Sequence, residues 1–169
     1  MTRLCARRES GVRWFRALVL STSMAASLVF AQANPGEAPI HQLARAGTGA
    51  EVERALAADP QARDARSTLG STPLHLAAMN PDPSALKVLL RAGADPNARN
   101  ADGSTPLHMA AYASRPEHAQ LLLEAGTDPL AKNDGGRDAA AMARKVKSDV
   151  TAGIISLWLL KGCKAGAPC

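Results

Sequence analysis

Aromatic side chains are nearly missing from this sequence: 169 residues contain two Trp, two Phe and one Tyr, 3% in all. That argues against an aromatic-rich β-sandwich, and the Ala and Leu that dominate the apolar set suit tightly packed helices. Long apolar runs are missing as well. The run at residues 17–30 has 14 positions and is interrupted by Ser21, Thr22, Ser23 and Ser27, whereas a permanent membrane anchor needs roughly 18 to 20. A third absence is hidden by the formal charge of +5, which invites a nucleic-acid or anionic-membrane reading. Five of the 20 basic residues (Arg3, Arg7, Arg8, Arg13, Arg16) and one acid, Glu9, lie in the first 33 positions. The rest carries 15 basic against 14 acidic side chains, a net of +1. No basic groove and no nucleic-acid partner is expected.

Catalytic constellations are also lacking. No glycine-rich phosphate loop follows a strand, no Gly-x-Ser-x-Gly elbow occurs, and no His/Cys/Asp spacing fits a metal site. His41 and His118 stand isolated, and Asp102, Asp134 and Asp138 are each accounted for by turn or cap chemistry. The chain is therefore read as no enzyme, with no cofactor, no metal and no small-molecule substrate; a hydrolase or redox enzyme is the remote alternative.

What is present begins with a leader. A basic segment, the apolar residues 17–30 and Ala31-Gln32-Ala33 have the layout of a secretory signal peptide cut before Asn34. Periplasmic or secreted localisation follows as an expectation. An uncleaved leader acting as a membrane tether is the alternative. Both the general route and, through Arg7-Arg8, a twin-arginine route stay open, although Glu9-Ser10-Gly11 is not the apolar continuation the latter favours. Cys5 leaves with the leader. Cys163 and Cys169 remain, and in an oxidising compartment they are expected to close a short loop worth roughly 2 kcal/mol, against the alternatives of free thiols or a redox pair.

With 169 residues there is room for one domain, or for a short stack of repeats behind the leader. The second holds. Thr72-Pro73-Leu74-His75-Leu76-Ala77-Ala78 recurs as Thr105-Pro106-Leu107-His108-Met109-Ala110-Ala111, 33 residues later. Gly70, Gly103 and Gly136 share that period, as do Leu56, Leu89 and Leu122, and the pairs Leu43-Ala44 and Met142-Ala143 extend it to four units. Each unit decodes into a turn and two helices. Thr72 and Thr105 are N-caps, and Pro73 and Pro106 take the first helical position, where no amide hydrogen is needed. Second helices are opened by Pro83 and Pro116 and stopped by Gly93 and Gly126. Asp102-Gly103 and Asp134-Gly135-Gly136 make tight turns between units.

These motifs identify a resemblance to the ankyrin-repeat family over about residues 38–160. Two full Thr-Pro-Leu-His-x-Ala-Ala motifs stand at the family's 33-residue period, each followed by Leu-Leu-x-Ala-Gly. The resemblance implies an all-α solenoid of helix pairs with β-turn fingers, about four repeats, whose concave face binds a protein. It also implies that His75 and His108 bond to backbone and to the capping threonines, a structural role. The expected organisation is a leader 1–33, a linker 34–37, units near 38–70, 71–103, 104–136 and 137–160, and a tail 161–169. The outer units are irregular caps: Pro39-Ile40-His41 sits one residue out of register, and Asp138-Ala139-Ala140-Ala141 replaces Thr-Pro-Leu-His. Trp158 has two open placements, inward or on an exposed patch.

Positions that neither cap, turn nor pack are the candidate protein-binding residues: Thr68, Leu69, Ser71, Ala101, Asp102, Ser104, Asp134 and Arg137 on the fingers, and Met79, Asn80, Tyr112 and Ala113 on the first helices. Tyr112 is the single tyrosine, a residue type enriched among interface anchors. For Met79 and Tyr112 a second reading stays open, that they cover the stack's own core. The functional expectation is a monomeric protein-binding module, an adaptor, inhibitor or immunity-type accessory protein. A structural assembly factor tethered by an uncut leader is the alternative.

Overall fold

The computed structural model describes residues 38–163. The leader, its cleavage site, the 34–37 linker and Cys169 lie outside the described residues. Eight α-helices in four antiparallel pairs make up the described chain, with no strand among the described residues. The first pair is α1 (Pro39–Ala46) and α2 (Gly49–Ala58), followed by a 3₁₀ turn at Pro60–Asp64. Then come α3 (Pro73–Ala77) with α4 (Ser84–Arg91), α5 (Pro106–Tyr112) with α6 (Pro116–Glu124), and α7 (Ala139–Lys145) with α8 (Asp149–Lys161). First helices stack on first helices through all four units, and second helices pack α2 on α4 and α6 on α8. The architecture is the helical solenoid that the repeat period implied.

Small residues set the spacing. Ala44, Ala77, Ala110 and Ala143, one per unit, are all fully buried, so neighbouring backbones approach without voids. Leu74, Leu86, Leu89, Leu107, Leu122 and Ile155 fill the remaining space. Burial of each such side chain is worth about 1.5 to 3 kcal/mol.

The first helices of the two inner units, α3 and α5, start at a reciprocal cap in which a histidine takes the place of the usual Glu or Gln. The Thr72 N–H and hydroxyl both donate to His75 Nδ1, at 3.2 and 2.9 Å, and His75 Nε2 donates to the Ser104 carbonyl of the next unit at 3.0 Å. Thr105 and His108 repeat this, with Nε2 donating to Arg137 O at 2.9 Å. One ring therefore joins a helix start to the following finger. His41, out of register in the sequence, makes only the tie to the finger: its Nε2 lies 3.0 Å from Ala65 O and 3.1 Å from Ser71 O, while its Nδ1 is buried without a hydrogen-bond partner and α1 has no capping side chain. In the last unit Asp138 replaces the pair by accepting directly from Ala141 N at 2.7 Å.

The fingers are turns closed by glycine at positive φ. Gly103 N–H donates to Asn100 O, the Asn100 side-chain oxygen accepts from Asp102 N and Ser104 N, and φ at Gly103 is 67°. Successive fingers are tied by Ala101 N–H to Leu69 O and Asp134 N–H to Asp102 O, both 3.0 Å. Arginines one period apart add a second tie, Arg66 to Arg99 O at 2.6 Å and Arg99 to Lys132 O at 2.8 Å. A Cβ at Gly103 would lie 2.2 Å from an Asp134 carboxylate oxygen and 2.7 Å from Arg99 Nη2, whereas one at Gly136, also at positive φ, would meet nothing within 4 Å. Gly136→Ala is thus expected to cost about 1 kcal/mol, from the left-handed backbone alone, and Gly103→Ala about 2 kcal/mol. Urea titrations of both variants check this; equal losses would show that the collision is relieved for free.

Cys163 is disulfide-bonded, and its bonding partner lies outside the described residues. Trp158 takes the inward placement, 8% exposed and part of the core.

Candidate protein-binding groove

Between the fingers and the first helices of the last three units runs a groove of about 430 Å³. Its floor comes from positions one period apart, on the first helices or, for Met79, in the turn just past α3. Met109 and Met142 occupy one register and half-line the floor from α5 and α7, and Met79 and Tyr112 occupy another, three residues further along. Its rim is built by the fingers, with Asp102 on one and Asn133, Asp134 and Gly135 on the next; Arg137 closes the end. Tyr112 is 56% exposed, held upright by a helix whose other face is buried in the stack.

Six of the twelve sequence-proposed residues meet in this groove: Met79, Asp102, Ser104, Tyr112, Asp134 and Arg137. The others do not. Thr68, Leu69 and Ala101 are exposed on finger tips outside it, and Ala113 is half-buried at the end of α5. Ser71 and Asn80 are corrections, since both are buried. Asn80 follows the half-exposed Met79 but turns inward, donating to Ala44 O at 3.1 Å and Gly47 O at 3.0 Å while accepting from Asp82 N. It ties unit 1 to unit 2. Ser71 offers its carbonyl to His41 and its amide to Ser67 Oγ. Ser104, although on the groove wall, is only 3% exposed and spends its carbonyl on His75 and its amide on Asn100.

Met109, Met142, Asn133 and Gly135 were missed. The available signal was the substitution at one register, Leu76 to Met109 to Met142, which replaces a buried leucine by an unbranched, adaptable thioether twice in succession. The charge pattern of the groove is mixed. Asp134 has Arg99 at 3.7 Å on its finger side, a weak exposed pair. Asp102 and Arg137 form no ion pair among the described residues and line the groove.

The arrangement supplies contact area and point charges and no reacting constellation. His75 and His108 are locked between backbone groups with 0 and 1% exposure, and burial pushes the His75 imidazole down to about 4 and the His108 imidazole below its ordinary value. No three His, Cys, Asp or Glu residues among the described ones come together to hold a metal ion.

A family model for ankyrin repeats, in three copies, matches residues 40–133. No curated protein in the comparison matches the chain. With more than half of its length matched and its helix pairs, fingers and histidine caps in place, the chain belongs to the ankyrin-repeat family and is a protein-interaction module.

Proposed function

We propose that this protein is a monomeric, non-catalytic adaptor or inhibitor that is exported through its leader and grips one protein partner in the groove between fingers and first helices. The observation that carries this reading is Tyr112, more than half exposed on a floor of methionines and flanked by finger carboxylates. A rigid aromatic costs little conformational entropy to immobilise, and methionines adapt to the shape set against them. Asp102, Asp134 and Arg137 add directional charges at the rim, which favour a partner segment that alternates apolar and charged side chains.

Two measurements test the two halves. A photo-crosslinking residue at Tyr112 should capture a specific envelope protein, and the same residue at Gln120 on the outer side of α6 should not; equal capture from both sides would sink the groove. With that partner purified, Tyr112→Ala is expected to weaken binding about tenfold, and a change within about twofold would count against it. For export, N-terminal sequencing of the envelope-fraction protein should begin at Asn34. A chain beginning at Met1 and confined to the cytoplasm would remove the exported reading and leave the groove untouched.

A further inference from the structure

The internal repeat provides its own control for the outer surface of each second helix. At one set of registers α4 carries Ser84, Lys87 and Arg91, and α6 carries Glu117, Gln120 and Glu124. In α8 the same registers hold Val150, Gly153 and Leu157. The alignment is secure in the structure, because Ser114 and Lys147, one period apart, share the left-handed backbone at φ 56° and 58°, and α6 and α8 then begin at the aligned Pro116 and Asp149. Where two units present charge to solvent, the last presents hydrocarbon. Val150 is 67%, Leu157 54% and Leu160 82% exposed. Spaced i, i+3, i+7 and i+10 with Gly153, they lie on one side of the helix, opposite the buried Thr151, Ala152, Ile155 and Trp158.

Charge is polarised toward the same end of the stack. Residues 34–131 contain 8 basic and 11 acidic side chains, whereas residues 132–169 contain 7 basic and 3 acidic. The sum near neutrality conceals a negative body and a positive end. Lys147 and Lys161 flank α8, are exposed and form no salt bridge among the described residues, against one exposed acid, Asp149, in the first turn of the helix.

We propose that α8 docks the repeat domain by the outer side of this helix against an anionic lipid surface, with Val150, Leu157 and Leu160 entering the headgroup boundary and Lys147 and Lys161 reaching lipid phosphates. An apolar stripe rimmed by basic side chains is the composition of an interfacial helix, and lysine stems can lie along the hydrocarbon while their ammonium groups stay at phosphate level. At 13 residues the helix is about 20 Å long, too short to cross a hydrocarbon core of about 30 Å, so it lies on the surface. A second copy of the chain is the less fitting occupant, since it would bring two positive rims together.

The test uses the full chain with vesicles of phosphatidylglycerol or of phosphatidylcholine. Val150→Glu/Leu157→Glu reproduces the outer face of α6, where glutamates already stand at those registers, so the fold is expected to survive; an unchanged urea midpoint checks that. Co-sedimentation of the unmodified chain should be strong with phosphatidylglycerol, weak with phosphatidylcholine and reduced by salt. Both the double glutamate variant and Lys147→Asn/Lys161→Gln should lose about tenfold in affinity for the anionic vesicles. The leader is common to all these chains. Equal binding by the glutamate variant, or equal binding to both lipids, would overturn the proposal. So would a vesicle-free dimer that the glutamate variant splits, which would give the stripe to a second copy.

Discussion

Lowering the pH from 7.5 to 4.5 is expected to remove roughly 2 to 3 kcal/mol of folding stability through His75 alone. The reason is geometric. Nδ1 accepts two hydrogen bonds from Thr72 and Nε2 donates one to Ser104 O, which uses the ring fully in its neutral form. A proton on Nδ1 would face an amide hydrogen. Burial, the largest cause, holds the folded-state value at about 4, against an unperturbed value of 6.5. The sign follows from proton counting. Between about pH 6.5 and 4 the unfolded chain binds a proton that the folded chain refuses, so stability falls as pH falls, and below about 4 this group adds no further loss. Burial also lowers His108 and His118, and both act in the same direction. Urea midpoints measured in half-unit steps from pH 7.5 to 4.5 read the effect directly. His75→Gln should flatten part of the slope. A midpoint unchanged across that window would mean that the buried rings take up protons without breaking their bonds.

The parts of the fold that were legible in the sequence are those where one residue type solves one local problem. Threonine before proline starts a helix, glycine stops it, and glycine closes a finger; each appears at the 33-residue period and each stands where the period put it. The less legible parts depend on what comes from another unit. His41 looked displaced because its spacing to Leu43-Ala44 differs, yet the extra residue is absorbed within α1 and the ring still reaches the next finger. Asn80 looked like a surface residue by its neighbour Met79, although its amide is spent on carbonyls of the preceding unit. The arginine ladder from Arg66 to Arg99 to the carbonyl of Lys132 has no local signature, because guanidinium groups one period apart look like ordinary surface charge until the fingers are stacked. For the groove, Tyr112 and the finger aspartates stood out as single residues, while Met109 and Met142 did not, since a methionine at a leucine register passes for core. In α8 apolar residues lie on nearly every side of the helix, which hides from the sequence which side is packed.

Trp158→Ala is expected to destabilise the protein by about 3 to 4 kcal/mol, the largest single-residue effect proposed for this chain. Its register belongs elsewhere to Ala92 and Ala125, exposed residues at the ends of α4 and α6. Those helices stop because Gly93 and Gly126 follow in the left-handed conformation. In the last unit the equivalent position is Leu159, so α8 continues to Lys161 and stops at Gly162, with φ 63°. The added turn carries the Trp158 ring over the end of the preceding unit, where it shares a shallow pocket with Leu123, Thr127 and Pro129. A repeat stack is held by interfaces between neighbours, and this ring provides the last one with area that Ala140, Ala143 and Ala152 cannot. Its loss should therefore act locally first. Hydrogen exchange should show amides of α7 and α8 opening while α3 and α5 stay protected, and the urea transition followed by circular dichroism should broaden or split. A single transition shifted by less than about 1 kcal/mol would mean that α8 is held by Ile155 and Ala152 alone and that the indole only shields them.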